Sequence, residues 1–234
     1  DYHLVIALVI WAIGCSMIAL AGLIYLPRVL LGVLAFGMIL GHNAWDGLQP
    51  ESLGAWGPLW RVLHAGGRIE LASGRELIVV YPLIPWIGVM AAGYLFAPRL
   101  LRPALERRRQ LITLGVCLIL AFVLLRWSNL YGDPRPWAVR ADLLFSGLAF
   151  LNCEKYPPSL LYLLMTLGPA ILALGLVESP RTALDRAIIT LGRVPMFFYL
   201  LHLPLIFGLA CLYALARYGP AASSFGPGNL PADY

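Results

Sequence analysis

The stretch Arg107-Arg-Arg-Gln-Leu-Ile-Thr-Leu-Gly-Val-Cys-Leu-Ile-Leu-Ala-Phe-Val-Leu-Leu-Arg126 decides the fold class of this chain. Its apolar run, residues 111–125, carries no charge and has arginines close to both ends. The run lacks the alternation of apolar and polar residues that is typical of strands in a membrane barrel, so it predicts a helix. An uncharged helix bounded by arginines is typical of a segment that crosses a bilayer.

The composition of the whole chain agrees with this interpretation. Of 234 residues, 60% are apolar or aromatic and 12% are charged, and the mean hydropathy is +0.79. Soluble proteins average about 25% charged residues, so the composition excludes a water-soluble globule. The net charge is +5. Because the basic residues lie between apolar runs and form no aromatic-interleaved basic face, nucleic-acid binding is excluded.

Six apolar runs approach the length of about 20 residues that a membrane-spanning helix needs. They are residues 4–26, 29–41, 77–97, 111–125, 159–177 and 194–216. The second run is short, and we expect it to continue to Gly47, which would place His42, Asn43 and Asp46 in a recessed, wet cavity. The predicted fold is all-α, a polytopic transmembrane helix bundle with about six spans and a single domain over residues 1–234.

The distribution of arginine in the connections predicts the orientation of the bundle. Residues 98–110 and 178–187 are rich in arginine and are therefore expected in the cytoplasm. Residues 43–76 and 127–158 are then extracytoplasmic. Within the first of these loops, apolar and polar residues alternate around Ser73-Gly74, which predicts a small surface hairpin.

Two histidines stand out as candidates for proton transfer. His202 lies about 12 Å into the last apolar run, where an imidazole needs a protein or water partner. It is either a functional group or a residue that stabilises a kink at Pro204. His42 and Asp46 are four residues apart; if the helix continues, the carboxylate orients the imidazole. The alternative is a helix-ending turn with Gly47 as its cap.

The second extracytoplasmic loop combines aromatic residues with polar and charged ones, as carbohydrate and headgroup sites do. An aromatic belt at the membrane interface has the same composition. Lys155, the single lysine of the chain, binds an anionic group or extends to the headgroups. The arginines of residues 98–110 set the topology or bind cytoplasmic phosphates. The four cysteines show no metal-ligand spacing, so we expect no metal.

Several motifs resemble one family. They are Gly41-His-Asn, Tyr81-Pro-Leu-Ile-Pro-Trp-Ile-Gly-Val-Met, Asn129-Leu-Tyr-Gly-Asp-Pro, Lys155-Tyr-Pro-Pro-Ser-Leu-Leu-Tyr and Gly192-Arg-Val-Pro-Met-Phe-Phe-Tyr-Leu-Leu-His. These motifs are similar to those of bacterial membrane proteins that resemble the heparan-alpha-glucosaminide N-acetyltransferase catalytic domain. The resemblance covers essentially the whole chain. Because the family normally has further spans at both ends, including one with an Asp-His motif, we expect the chain to be an internal fragment.

The resemblance implies an acyltransferase in the bacterial cytoplasmic membrane. The donor would be acetyl-CoA or another acyl-CoA, and the acceptor a glycan or lipid-linked sugar on the far side. Homo-oligomerisation stays open. His202 would orient a reacting group, and His42 with Asp46 would assist proton transfer. The expected substrate-binding residues are Asn43, Arg126, Asn129, Tyr131, Asp133, Arg135, Asn152, Lys155 and Tyr156.

Two other functions compete with acyl transfer. A transporter or flippase for a polar or lipid-linked substrate is favoured by the proline-interrupted spans and the histidine at mid-membrane, although no internal repeat supports it. A purely structural membrane subunit would tolerate substitution of its outer polar residues. Binding of acyl-CoA would separate the first of these from an acyltransferase.

Overall fold

The computed structural model describes residues 3–71, 74–177 and 182–219, and most of them are helical. The chain divides into two compact units, Asp1–Glu178 and Ser179–Tyr234. In the first unit the long helices are α1 (Val9–Leu23), α2 (Arg28–Gly41), α4 (Leu83–Leu100), α5 (Ala104–Ser128) and α7 (Leu160–Leu176). The shorter elements are β1 (Leu4–Ala7), α3 (Gly57–Trp60), β2 (Gly67–Leu71), β3 (Arg75–Val79) and α6 (Leu143–Leu151). The second unit has α8 (Ala183–Arg193) and α9 (Pro195–Tyr218).

Four helical stretches within the described residues are long and apolar enough to cross a membrane. They are Arg28–Trp45, Leu83–Leu100, Ala104–Ser128 and Pro195–Tyr218. The expected total of about six spans is not confirmed, because α1 has 15 residues and α7 has 17. At 1.5 Å per residue these helices are about 22 and 25 Å long, shorter than a hydrocarbon core of about 30 Å.

A three-stranded sheet with the order β1-β3-β2 takes up the first residues of two of the expected helical spans. The predicted hairpin is confirmed, since β2 pairs antiparallel with β3. Residues 4–7 were expected to begin the first span, but they form β1, which pairs parallel with β3. The third span was expected from residue 77, but β3 continues to Val79, and α4 starts only after Pro82. The sheet has a small apolar core formed by Ala7, Ile69 and Val79. This packing stabilises residues 4–7 as a strand.

The arginine-rich connection is shorter than expected. Helix α5 begins at Ala104, after Pro103, so that Arg107 to Arg109 lie on its first turns and not in a loop. Arg102 forms an ion pair with Glu106, and Arg107 donates to the carbonyls of Leu100 and Arg102. These local bonds fold the turn between α4 and α5 tightly.

Glycines let α5 and α7 pack backbone to backbone. A Cβ on Gly115 of α5 would lie 2.6 Å from the backbone nitrogen of Leu172. On α7, a Cβ on Gly168 would lie 3.1 Å from the nitrogen of Ile119, and one on Gly175 would lie 3.0 Å from that of Ile112. Small residues at such contacts are the usual means of helix association in membranes, where dispersion replaces the hydrophobic effect.

The helices of the first unit form two groups, α1–α2–α4 and α5–α7, whose members pack mainly within their own group. In the first group Leu31 and Ala35 of α2 are buried against Ala91 of α4. In the second, Phe122 of α5 packs with Leu161 of α7 and Cys153. Antiparallel connections place the end of α2, the end of α5 and the start of α7 at the same end of the unit. We call this the histidine end, after His42.

Replacing Gly115 with alanine is expected to destabilise the protein by about 1–3 kcal/mol, because the added carbon has no room between the two backbones. Gly37→Ala is the matched control, since a Cβ on this glycine of α2 meets nothing within 4 Å. The control is expected to be neutral, or stabilising by up to about 1 kcal/mol, because alanine is the better helix former. Thermal unfolding in detergent, followed by circular dichroism, measures both. Equal melting temperatures would contradict the close packing of α5 on α7.

Candidate active site

The first turn of α7 is held by side chains and carbonyls from other parts of the first unit. The side-chain oxygen of Asn43 accepts from the amide of Leu160 at 2.8 Å, and the carbonyl of Gly132 accepts from that of Leu161 at 2.9 Å. Ser159 caps the helix by accepting from the amide of Tyr162. Because these first amides have no partner within the helix, each bond satisfies a group that would be costly to bury alone.

A buried ion pair stabilises this first turn of α7. Asp133 accepts from the hydroxyl of Ser159 and the amide of Glu154, both at 2.8 Å. Its other oxygen lies 3.8 Å from the guanidinium of Arg126, and both side chains are only 2% exposed. Arg126 and Asp133 were expected to line a substrate entrance. The structure corrects this position, because their polar atoms are turned inward.

The guanidinium of Arg126 binds the end of α6 and the loop before it. It donates to the carbonyls of Ala149, Phe150 and Asn152, at 2.9 to 3.0 Å, and to that of Arg135 at 2.9 Å. Carbonyls at a helix C-terminus have no helical donor, and a guanidinium with its fixed fork of N–H groups can serve several of them together. Arg126 is therefore a structural residue that organises the loop between α5 and α7.

His42 is buried at the end of α2, with carbonyl oxygens facing both of its ring nitrogens. Nδ1 lies 3.1 Å from the oxygen of Met38 and 3.0 Å from that of Ile39, and Nε2 lies 2.8 Å from that of Pro158. A carbonyl only accepts, so a neutral imidazole with one N–H can donate to one side of this site and an imidazolium to both. His42 thereby links the two helix groups.

Asp46 does not pair with His42, contrary to the expected i, i+4 arrangement. The chain tightens into a 3-10 turn over His42–Trp45, which has three residues per turn and rotates Asp46 away from the His42 side. The carboxylate of Asp46 instead accepts from the side-chain amide, Nδ2, of Asn43 at 2.8 Å. Its other oxygen lies 3.2 Å from Nε2 of His64.

His64 is a member of the site that the sequence did not indicate. It is 2% exposed and lies in a π-helical turn, Arg61–Ala65, of a type that is rare and concentrated at functional sites. Its ring contacts Trp60, with centroids 4.8 Å apart, and meets His42 edge-on at 6.1 Å. Its Nδ1 is buried without a hydrogen-bond partner among the described residues. The only sequence signal is an imidazole in the apolar stretch Val62-Leu-His-Ala.

The carboxylate of Asp46 lies beside Nε2 of His64 at ion-pair distance, but the contact is not a hydrogen bond, since Oδ1 of Asp46 has no hydrogen-bond partner among the described residues. A carboxylate beside Nε2 favours the tautomer that carries its hydrogen there. Nδ1 then keeps a free lone pair, which can accept a proton. Of the residues expected to do this chemistry, the structure brings Asp46 to His64 and uses His42 to join the helices.

An aromatic and cationic surface lies on the same segment as Pro158. The hydroxyls of Tyr81 and Tyr156 are 3.2 Å apart, and their rings meet at 5.2 Å in a T-shape. The ammonium of Lys155 lies 5.1 Å from the centre of the Tyr156 ring. The hydroxyl of Tyr81, and then Lys155, lower the pKa of Tyr156, while the Tyr156 hydroxyl raises the pKa of Lys155. Lys155 and Tyr156 are exposed, and a substrate-binding role for them stays a prediction.

The remaining expected binding residues have different surroundings. The side chain of Asn129 donates to the backbone carbonyl of Trp137 and accepts from its backbone amide. Tyr131 donates to the carbonyl of Leu40, and burial raises its pKa. Arg135 forms an ion pair with Glu154. The side chain of Asn152 lines an open groove beside α6.

His202 belongs to the second unit, on α9. Its Nδ1 is 3.2 Å from the carbonyl of Phe198, one turn earlier, and its ring stacks on that of Phe198 at 5.9 Å. These contacts fit the interpretation that it stabilises its own helix near Pro204, and a reacting role for it stays a prediction.

Searches of known protein families, characterised proteins and solved structures give no match to this chain. Within residues 3–71, 74–177 and 182–219, no cluster of three or more histidine, cysteine, aspartate or glutamate side chains could hold a metal ion.

Replacing Arg126 with glutamine is expected to destabilise the protein by about 3–5 kcal/mol, because it leaves Asp133 buried without its cation. Arg126→Lys is expected to recover only part of the loss, since an ammonium cannot reach all four carbonyls. The matched control is Arg108→Gln on exposed α5 surface, expected to change stability by no more than about 0.5 kcal/mol. Thermal unfolding of the detergent-solubilised variants measures this. A loss no larger for Arg126→Gln than for the control would show that Arg126 is not structural.

Cys153 is expected to react slowly with maleimide in the folded protein. Burial raises the pKa of its thiol from 9.0 to about 11. Since only the thiolate reacts, a rise of two units reduces the reactive fraction near neutral pH about 100-fold. The measurement uses a variant whose other cysteines, Cys15, Cys117 and Cys211, are replaced by alanine, labelled before and after denaturation. Equal labelling rates would mean that Cys153 is not enclosed.

Proposed function

We propose that this chain forms the extracytoplasmic reaction site of an integral membrane acyltransferase in the bacterial cytoplasmic membrane. The acyl group would come from acyl-CoA, and the acceptor would be a hydroxyl or amine of a sugar. The observation that supports the proposal most directly is that buried His64, whose Nδ1 has no partner among the described residues, lies 3.2 Å from the partly exposed carboxylate of Asp46. The family resemblance of the sequence motifs points to the same chemistry.

The reaction needs a base because a neutral hydroxyl or ammonium group is a poor nucleophile toward a thioester. His64 Nδ1 takes the proton as the acceptor oxygen or nitrogen bonds to the acyl carbon. The carbon–sulfur bond breaks, the CoA thiolate takes up a proton from solvent, and His64 later returns its proton to water. Asp46 holds the ring in the required tautomer and stabilises the imidazolium while it lasts.

Access to Nδ1 requires movement of the π-helical turn, because the atom is closed to solvent in the structure. Gly66 and Gly67 follow this turn directly, with φ of 69° and 96°. Glycines with such backbone angles are suited to be hinge positions. His42 is a positioning residue in this scheme, since both of its nitrogens face backbone carbonyls.

The donor would bind at the opposite end of the helices. Arg107 and Arg126 lie on one helix, α5, and are about 28 Å apart at 1.5 Å per residue. Arg99, Arg108 and Arg109 are exposed near the start of α5, where they can bind the phosphates of CoA. The thioester end of the donor therefore has to reach from these arginines to the histidine end, where its carbon–sulfur bond breaks.

His64→Gln is expected to lower acyl transfer by about 10²- to 10⁴-fold, the usual contribution of a general base. Asp46→Asn is expected to lower it as well, because the neutral amide no longer favours the hydrogen on Nε2. The assay presents labelled acetyl-CoA and glucosamine on opposite sides of membrane vesicles that contain the intact protein. His3→Gln, at an exposed histidine before β1, is the matched control and should leave turnover unchanged.

Full turnover in His64→Gln with a folded protein would remove this residue from the mechanism. Movement of labelled glucosamine across the membrane without acetylation, unaffected by acetyl-CoA, would replace the proposal with transport. Circular dichroism melting of each variant separates a lost base from a lost fold.

A further inference from the structure

Helix α6 exposes apolar side chains although it belongs to the connection between α5 and α7. Its sequence, Leu143-Leu-Phe-Ser-Gly-Leu-Ala-Phe-Leu151, has one polar side chain, that of Ser146, and this side chain is buried. Its large exposed side chains are Leu143, Leu144, Phe145, Leu148 and Leu151, and Leu143 is 90% exposed. An apolar surface of this kind marks a contact with a membrane or a partner. The position of α6 in the fold decides between the two.

The end of α5 fixes the depth of α6 relative to the membrane. Helix α5 is one of the helices long and apolar enough to cross a bilayer. Arg126, in its last turn, donates to three carbonyls at the end of α6, those of Ala149, Phe150 and Asn152. The end of α6 therefore lies at the level where the span ends, which is the boundary between acyl chains and headgroups.

A row of aromatic rings supports this level. The ring centre of Phe150 lies 5.6 Å from that of Phe122 on α5 and 5.1 Å from that of Trp137. The Trp137 ring lies 5.7 Å from that of Trp127, which is exposed. Tryptophan is enriched at the membrane–water interface. The exposed apolar residues of α6 therefore meet lipid, the one partner that a membrane protein always has at this depth.

The groove beside α6 has a volume of about 770 Å³, within the range of about 300–1,000 Å³ of small-molecule sites. It is lined by Arg140 and Asp142, which precede the helix, and by apolar residues along the helix, among them Phe145, Leu148 and Leu151. The charged residues lie near the start of α6 and the apolar ones continue toward its end. The groove thus combines a charged part with an apolar part.

The two charged side chains are exposed, and the backbone that carries them is held in place. The hydroxyl of Ser146 accepts from the amide of Arg140 at 2.8 Å and faces the carbonyls of Arg140 and Asp142. Oδ1 of Asp142 caps α6 by accepting from the amide of Leu144 at 2.6 Å. In the described part of the chain, neither Arg140 nor Asp142 forms an ion pair. Both charges therefore remain available to a ligand.

We infer that this groove is a binding site for a zwitterionic phospholipid of the phosphatidylethanolamine type. The guanidinium of Arg140 binds the phosphate, and the carboxylate of Asp142 accepts from the primary ammonium. One acyl chain lies along Phe145 and Leu148. Because the groove carries one charge of each sign, a headgroup that also carries both signs complements it. An anionic headgroup would be repelled by Asp142. The site does not depend on acyl transfer.

The test labels the intact protein with phospholipids that carry a photoreactive diazirine in one acyl chain. Liposomes of phosphatidylcholine contain a small fraction of the probe, which is photoreactive phosphatidylethanolamine or photoreactive phosphatidylglycerol. After irradiation, labelling of residues 143–152 is measured by peptide mass spectrometry. Wild type is expected to be labelled about 3- to 5-fold more by the phosphatidylethanolamine probe, the effect of one favourable exposed ion pair.

Two charge variants test the headgroup contacts. Arg140→Gln should lower labelling by the phosphatidylethanolamine probe about 3- to 5-fold. Asp142→Asn should remove the preference for this probe, while its side-chain oxygen can still cap α6. Arg75→Gln, at an exposed arginine of β3, is the matched control and should change neither value. Circular dichroism melting shows whether each variant is folded.

A pair of leucines on α6 tests the groove itself. Leu148→Asn should lower labelling by the phosphatidylethanolamine probe, because the side chain lines the groove. Leu144→Asn is the matched control, since Leu144 is also exposed but does not line the groove. Equal losses in the two variants would show that lipid contacts α6 without using the groove.

Three further results would overturn the inference. Equal labelling by the two probes in wild type, or a preference that survives Arg140→Gln and Asp142→Asn, would mean that lipids only surround the helix. Stronger labelling by phosphatidylglycerol would assign the groove to an anionic lipid. Labelling of residues 143–152 no higher than the average over the chain would mean that another part of a protein covers α6.

Discussion

The start of helix α7 is the point on which the first unit depends. A helix that begins inside a protein carries amides without helical partners, and each needs an acceptor. Asn43 supplies one from the turn that follows α2, Gly132 another from the loop after α5, and Ser159 a third from the N-cap of α7. These acceptors come from both helix groups. Capping α7 is therefore also what fixes α1–α2–α4 against α5–α7 at this end.

The polar residues at the histidine end differ in whether their hydrogen-bonding atoms and charges already have partners. Four side chains have their donors and acceptors bonded to the backbone or to each other. They are Asn43, Ser159, Asp133 and Arg126. Breaking such a network costs much free energy, and its side chains have few donors or acceptors left to bind a ligand. His64 has a free nitrogen, and Lys155 has an unneutralised charge. A polar cluster in a membrane protein is a functional hypothesis as a whole, and among the described residues these two keep atoms that a reaction or a ligand would need.

The sequence predicts the membrane class, the surface hairpin and the concentration of polar residues at one end, because these follow from composition, alternation and charge. It does not predict β1, since Leu4 to Ala7 are apolar enough for a span and only the pairing with β3 makes them a strand. The partner of Asp46 is missed for a related reason. The i, i+4 rule holds for an α-helix, and nothing in Gly41-His-Asn-Ala-Trp-Asp shows that the chain tightens there into a 3-10 turn. His64 reaches Asp46 from a different segment, a relation set by folding alone.

The placement of arginine and lysine follows from the chemistry of the two side chains. Arg126 is buried where several carbonyls in different directions need donors, and only a guanidinium presents enough N–H groups in a fixed plane. Lys155 lies at the surface on a flexible stem, where a compact ammonium can follow a ligand but would serve a buried carbonyl set poorly. The chain has a single lysine, Lys155, and it faces outward. The residue that organises the loop is an arginine, Arg126. Both are anchored to the loop that leads into α7, so the bonds that cap this helix also set the distance between the cation and the histidines.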